Sequence, residues 1–204
     1  MNKIENICVF GDSTAWGAWD KEKGGWANRL WLHLANRNDF IDTPNIYNQS
    51  ISGGDSSLIL ERFENESKVR ECDALIFQTA GNDSYLVGKN GPNNISIENF
   101  EDNIENILKK AKAITKHVIF IGYKEVDDSK TAPVPWDDIY YLNSEIERYN
   151  KVMQKVCENN NVLFLNMGSV LTPSDFEDGI HPNAQGHEKI FIKVKGFLEE
   201  KGWI

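Results

Sequence analysis

Short apolar runs that break abruptly into small polar residues are the feature that most constrains how this chain folds. The first lies in ICVFGDSTAWG, from Ile7 to Gly17, where Ile7 to Phe10 are apolar without alternation. Uninterrupted apolar strands are typical of parallel sheets that are covered on both faces. Ligands bind at the carboxyl ends of such strands, so Ser13, just after the first strand, stands where a functional group is expected.

The same order of strand, polar turn and helix recurs along the chain. Further strands are predicted in NIYNQS (45–50), DALIFQTAGNDS (73–84), HVIFIGY (117–123) and VLFLNM (162–167). Apolar residues at helical spacing predict the helices, at Trp26, Leu30, Trp31 and Leu34, at Leu58, Ile59 and Phe63, from Phe100 to Ile114, from Leu142 to Val156 and from Ile190 to Leu198. Alternating strands and helices predict a parallel sheet with helices on both faces.

Length and charge narrow the class of protein further. A chain of 204 residues suits one domain, residues 1–204, that buries a core without metals or disulfides. Its net charge of -9 disfavours nucleic acid and anionic lipid surfaces as partners. No window approaches a membrane span and the N-terminus has no apolar signal region, which predicts a cytoplasmic protein, or a secreted one if a signal peptide was removed. The oligomeric state is not readable from the sequence.

Several residue types receive a structural interpretation. Three cysteines without paired spacing, Cys8, Cys72 and Cys157, are expected to be packing residues in a reducing compartment. Trp16, Trp19 and Trp136 are also expected to be packing residues, although a role in a ligand pocket stays open for them. Three histidines, His33, His117 and His187, are expected at the surface. The stretch from Lys124 to Tyr141 is the one long irregular segment, a candidate lid or pocket wall.

Five residues in the predicted turns supply the parts of an acyl-transfer site. Such a site needs a nucleophile, a base, a carboxylate that orients the base, and donors for the oxyanion. Ser13 follows the first strand, Gly53 the second and Asn82 the third, while Asp178 and His181 stand three residues apart before the last helix. This spacing lets the Asp178 carboxylate reach Nδ1 of His181 and leaves Nε2 to face a serine.

Four blocks of this chain, in order, resemble the SGNH or GDSL hydrolases: GDSTAWG, the glycine of NQSISGGDS, GNDS and DGIHP. The resemblance implies a three-layer α/β/α sandwich of flavodoxin-like topology, with a central parallel sheet of about five strands and no cofactor or metal. It implies Ser13 as nucleophile, His181 as base and Asp178 as its partner, with an oxyanion hole from the Ser13 and Gly53 backbone amides and the Asn82 side chain. The implied activity is hydrolysis of carboxylic esters by an esterase, lipase or carbohydrate deacylase acting on a small acyl ester.

One departure from the family pattern and two other functions stay open. The family has glycine where this chain has Ala80, which predicts a slight backbone shift, and a stronger conflict if the position requires a positive φ. An acyltransferase would use the same site with a sugar hydroxyl in place of water. A non-catalytic flavodoxin-like module would bind phosphate at the first turn, against the negative charge of Asp12.

Overall fold

A parallel five-stranded sheet forms the centre of the computed structural model, which describes residues 3–37 and 43–204. The strands are β1 (Asn6–Phe10), β2 (Asn45–Asn48), β3 (Ala74–Gln78), β4 (Leu86–Val87), β5 (Val118–Ile121), β6 (Ile139–Tyr140) and β7 (Leu163–Leu165). The central sheet has the order β2, β1, β3, β5, β7, and β4 pairs with β6 in a separate antiparallel ribbon. The predicted five-stranded parallel sheet is confirmed.

Helices cover both faces of this sheet. They are α1 (Ser13–Trp16), α2 (Trp26–Ala35), α3 (Ser56–Val69), α4 (Gly81–Ser84), α5 (Ile97–Ile114), α6 (Asp128–Thr131), α7 (Asn143–Asn159) and α8 (Ala184–Glu200). One core lies between the sheet and α3, α5 and α7, and a second lies between the sheet and α2 and α8. The chain therefore forms the predicted three-layer α/β/α arrangement. Within residues 3–37 and 43–204, no helix has both the length and the apolar character needed to cross a bilayer.

The polar turns gather at one edge of the sheet because parallel strands all end on the same side. Every residue of β1 beyond Asn6 and all of β3 and β5 are buried, as expected for strands covered on both faces. Each of these strands leads into a turn at its carboxyl end, and the turn after β1 begins α1 with Ser13. The fold thus brings together turns that are far apart in the sequence.

Several expectations about individual side chains are wrong. Cys8 and Cys72 form a disulfide, with Cα atoms 6.0 Å apart, because β1 and the segment entering β3 are neighbours in the sheet; Cys157 is free and buried, as expected. Trp31 lies at the margin of the buried face of α2 and is 45% exposed, whereas Trp26, Leu30 and Leu34 are buried. His187 is buried in α8, since the loop before α2 covers it.

The stretch from Lys124 to Tyr141 is more ordered than its composition predicts. It contains α6 and β6, and β6 pairs with β4 through the register Leu86 to Tyr140. This pairing holds the end of the stretch against the turn that carries α4. The expectation of an irregular segment is correct only for the residues between these elements.

Candidate active site

Ser13, His181 and Asp178 form a continuous hydrogen-bonded chain. Ser13 Oγ lies 3.0 Å from His181 Nε2, and His181 Nδ1 lies 2.7 Å from Asp178 Oδ2. Because a carboxylate only accepts, the imidazole proton is on Nδ1 and the serine hydroxyl donates to Nε2. The structure therefore brings together three residues that the sequence separates by up to 168 positions.

The turn between β1 and α1 fixes the position of Ser13. Asp12 is the N-cap of α1, and its Oδ1 accepts a hydrogen bond of 2.8 Å from Thr14 N. Gly11 is required before it, since a side chain there would come within 2.6 Å of the Ala15 Cβ and 2.9 Å of the Gln78 carbonyl oxygen. Ser13 begins the helix and is only 6% exposed.

The segment before α8 holds the Asp178 carboxylate in its charged form. Oδ1 accepts hydrogen bonds from the backbone N–H groups of His181 (2.8 Å) and Ile180 (3.0 Å), while Oδ2 faces the imidazole. Burial opposes ionisation here, but these hydrogen bonds from His181 and Ile180 outweigh it and lower the pKa of Asp178 to about 2. A carboxylate that stays charged keeps the imidazole in the tautomer that accepts from Ser13.

Asn82 and Gly53 belong to two turns that are hydrogen-bonded to each other and to the Ser13 turn. Asn82 Nδ2 donates to the Gly54 carbonyl oxygen at 2.9 Å, and Ile51 N donates to the Gly11 carbonyl oxygen at 3.0 Å. Gly53 has φ +78, a conformation that favours glycine. In the described residues its N–H has no acceptor, whereas the N–H of Gly54 donates to Ile51. Of the two adjacent glycines, Gly53 is thus the one with an available donor.

The position of Ala80 requires a positive φ, +93, so the departure from the family pattern carries a real backbone cost. Asp83 holds this conformation: its Oδ2 accepts from Ala80 N at 3.0 Å and from Thr79 Oγ1 at 2.6 Å. Its Oδ1 accepts from Ser56 N at 2.9 Å, which ties this turn to α3. Burial raises the pKa of Asp83. The carboxylate therefore fixes the backbone from which Asn82 projects.

A buried lysine lies close enough to Asp12 and Asp178 to interact with their charges. Lys124 is fully buried after β5, with Nζ 4.3 Å from the ring centroid of Tyr123 and 5.3 Å from that of Phe176. Burial lowers its pKa to about 7, although the Asp12 and Asp178 carboxylates oppose this effect. Burial also raises the pKa of Asp12. The sequence predicts no functional role for Lys124, because a single lysine after a strand matches no site motif.

Three tryptophans are exposed, contrary to the packing role expected of them. Trp16 is 57% exposed, Trp19 49% and Trp136 58%. Trp16 borders two open cavities of about 430 Å³ each, one shared with Trp31 and the other with Trp19. These indoles are available to contact a ligand.

The loop between α1 and α2, which carries Trp19, is held in one conformation. The buried Asp20 carboxylate forms two hydrogen bonds with the Arg29 guanidinium, at 2.7 and 2.9 Å. It also accepts from the backbone N–H groups of residues 22, 23 and 25. Hydrogen bonds from Arg29 and the backbone outweigh burial and hold the pKa of Asp20 well below its usual range. Trp19 itself has φ +66, a strained conformation that this clamp maintains.

Comparison with known proteins identifies the family. A sequence profile of the GDSL-like lipase/acylhydrolase family matches residues 9–189, a range that contains all five predicted site residues. The chain belongs to this family. As a GDSL hydrolase it is a carboxylic ester hydrolase.

Solved structures share the fold of this GDSL hydrolase at low identity. A lipase/acylhydrolase from Enterococcus faecalis aligns over 97% of both chains with a TM-score of 0.78 and 19% identity. An acetylxylan esterase from Geobacillus stearothermophilus aligns over 99% of this chain and 97% of its own, with a TM-score of 0.74 and 17% identity. A multidomain esterase from Ruminococcus flavefaciens is 35% identical over an alignment of 65 residues. The match covers 28% of this chain and only 8% of that protein.

Proposed function

We propose that this GDSL hydrolase cleaves esters through an acyl-enzyme on Ser13 and that residues 1–204 act as one catalytic domain. The observation that carries the proposal is the hydrogen-bonded chain from Ser13 Oγ through His181 to Asp178, at 3.0 and 2.7 Å. Nucleophile and base lie within hydrogen-bond reach, and a third group orients the base, which is the arrangement that activates a serine. Catalytic mutants of the Geobacillus acetylxylan esterase, in which a serine or a histidine is replaced by alanine, have the same fold.

In the first step, Ser13 Oγ attacks the ester carbonyl carbon while its proton passes to His181 Nε2. The new C–O bond converts the carbonyl oxygen into an oxyanion, which the N–H groups of Ser13 and Gly53 and the Asn82 amide stabilise. The protonated imidazole, stabilised by Asp178, then donates its proton to the departing alcohol. This step leaves the acyl group on Ser13.

In the second step, water attacks the acyl-enzyme. His181 takes a proton from the water, the same three donors stabilise the second oxyanion, and the acid leaves as Ser13 Oγ regains its proton. The five residues thus serve both halves of the reaction. An acceptor alcohol that entered in place of water would give acyl transfer, which product analysis with added alcohol distinguishes.

Hydrolysis of p-nitrophenyl acetate tests this proposal. Ser13→Ala removes the nucleophile and is expected to lower kcat by at least about 10³-fold. Ser144→Ala, at an exposed position in the first turn of α7, is the matched control and should keep full activity. Equal rates for Ser13→Ala and the unmodified protein would overturn the assignment.

We further propose that the ester is carried by a carbohydrate. The exposed rings of Trp16 and Trp19 stand on the segment that follows Ser13, and flat indole faces fit the apolar C–H faces of sugar rings. Asn28 and Asn48 line the Trp16 cavity. Each carboxamide donates one N–H to a backbone carbonyl oxygen, of Lys23 and Ala15 respectively, and has a second N–H for a sugar hydroxyl. The structural likeness to an acetylxylan esterase points the same way.

Two substrates separate this role of Trp16 from general damage to the site. Trp16→Ala should lower kcat/KM about fivefold on acetylated xylooligosaccharides, because a lost stacking contact is worth about 1 kcal/mol. It should leave kcat/KM on p-nitrophenyl acetate within about twofold, since that ester has no sugar ring to stack on the indole. An equal loss on both substrates would contradict a sugar-binding role.

A further inference from the structure

The Asn82 carboxamide is held at both ends. Its Nδ2 donates to the Gly54 carbonyl oxygen at 2.9 Å, and its Oδ1 accepts a hydrogen bond of 2.7 Å from the Tyr141 hydroxyl. A carboxamide nitrogen carries two hydrogens, so one N–H of Asn82 is left for another acceptor. Tyr141 stands 59 positions away in the sequence and shares no motif with Asn82.

Tyr141 is itself fixed on two sides. Its backbone N–H donates to the Thr131 carbonyl oxygen at 2.9 Å, and Thr131 Oγ1 donates to the Tyr141 carbonyl oxygen at 2.8 Å. Its ring packs against that of Tyr85, with centroids 5.3 Å apart, and its side chain is almost completely buried. The hydroxyl therefore reaches Asn82 from a rigid support.

We propose that Tyr141 is a positioning residue for the oxyanion hole, whose hydroxyl holds the Asn82 carboxamide with its second N–H directed at the developing negative charge. The inference rests on the proposed function of Ser13 and Asn82. A bond into Oδ1 also polarises the amide, which strengthens its N–H as a donor. Burial raises the pKa of Tyr141 far above its ordinary value, so the hydroxyl remains a donor across the working pH range.

Tyr141→Phe tests this role because it removes the hydroxyl and keeps the ring. We expect kcat on p-nitrophenyl acetate to fall about tenfold, less than the 10²–10³-fold loss for removing an oxyanion donor outright, with KM changed by less than about twofold. Tyr140→Phe, the same change at the neighbouring residue, is the matched control and should retain full kcat. Thermal unfolding of each variant shows whether a loss of activity comes from a loss of folded protein.

A double-mutant comparison separates positioning from a structural role. In an Asn82→Ala background, Tyr141→Phe should lower kcat by less than about twofold, because the group it positions is gone. Two losses that multiply would overturn the inference, as would an unchanged kcat in Tyr141→Phe alone. If either of these results is found and Ser13→Ala is inactive, the inference about Tyr141 is wrong and the proposed function stands. If Ser13→Ala is fully active, the proposed function itself is wrong.

Discussion

His187 should make the folded chain sensitive to acid. Its Nε2 lies 3.0 Å from the Ala18 carbonyl oxygen and donates to it, while Nδ1 accepts from Trp26 N at 3.3 Å. Both nitrogens are used by the neutral ring, and the side chain is fully buried. Burial, reinforced by the charges of Lys124 and Arg29, lowers the pKa of His187 to about 4.

The sign and size of the effect follow from that pKa. Between the ordinary value of 6.5 and about 4, the unfolded chain binds a proton at this residue and the folded chain does not. Stability is therefore lost as the pH falls through this window and is retained above pH 6.5. At about 1.4 kcal/mol per pH unit, the loss approaches about 3 kcal/mol by pH 4. That is a large fraction of the roughly 5–15 kcal/mol that stabilises a typical domain.

Urea unfolding from pH 7.5 to pH 4 of the unmodified protein and of His187→Gln measures this effect. The variant loses the acceptor for Trp26 N, so at pH 7 its free energy of unfolding should be lower by about 1 kcal/mol. Near pH 4 the order should reverse, since glutamine does not titrate. His33→Gln, at a half-buried position, is the control and should remove much less of the pH dependence. Parallel stability curves for His187→Gln and the unmodified protein would refute the reasoning.

Three further predictions concern the support of the site. Gly81→Ala places a Cβ within 2.3 Å of the buried Tyr123 ring and should lower the free energy of unfolding, measured in urea, by about 2–3 kcal/mol. The control Gly196→Ala, in α8 with open space around it, should raise the free energy of unfolding by about 0.5–1 kcal/mol. Equal effects of the two substitutions would contradict the steric argument. Because the pKa of Lys124 is lowered to about 7, the unfolded chain binds its proton more tightly from there to 10.5, so stability should rise with pH across this window, and Lys124→Met should abolish that rise. Asp178→Asn should lower kcat by roughly 10³–10⁴-fold with little change in KM, and a loss below tenfold would exclude a role in orienting His181.

The sequence predicts the sheet and the turns well because both depend on local pattern. Ile7 to Phe10 lie in β1 because an uninterrupted apolar run is buried on both faces of the sheet. The helix predicted from Phe100 to Ile114 is observed as α5, with its start moved to Ile97. The meeting of Ser13 with His181 follows from topology, because parallel strands end on one side of the sheet.

The sequence does not predict contacts between segments that share no motif or periodic pattern. The hydroxyl of Tyr141 meets Asn82 only because β6 pairs with β4, two strands of two residues each, too short for a periodic signal. His187 is buried by a loop whose shape depends on the Asp20 clamp rather than on the pattern of α8. The Cys8 to Cys72 pairing likewise follows from strand order, which the spacing of cysteines does not reveal.

Covalent labelling with a fluorophosphonate ester followed by peptide mass spectrometry tests the central claim most directly. Such a reagent phosphonylates an activated serine: the serine oxygen forms a bond to phosphorus and fluoride leaves. We expect one label per chain on the peptide that contains Ser13, loss of activity in proportion to labelling, and labelling that is much slower in His181→Ala. Complete labelling at Ser13 with full esterase activity retained, or inactivation with the label on another residue, would contradict the assignment of Ser13 as the nucleophile.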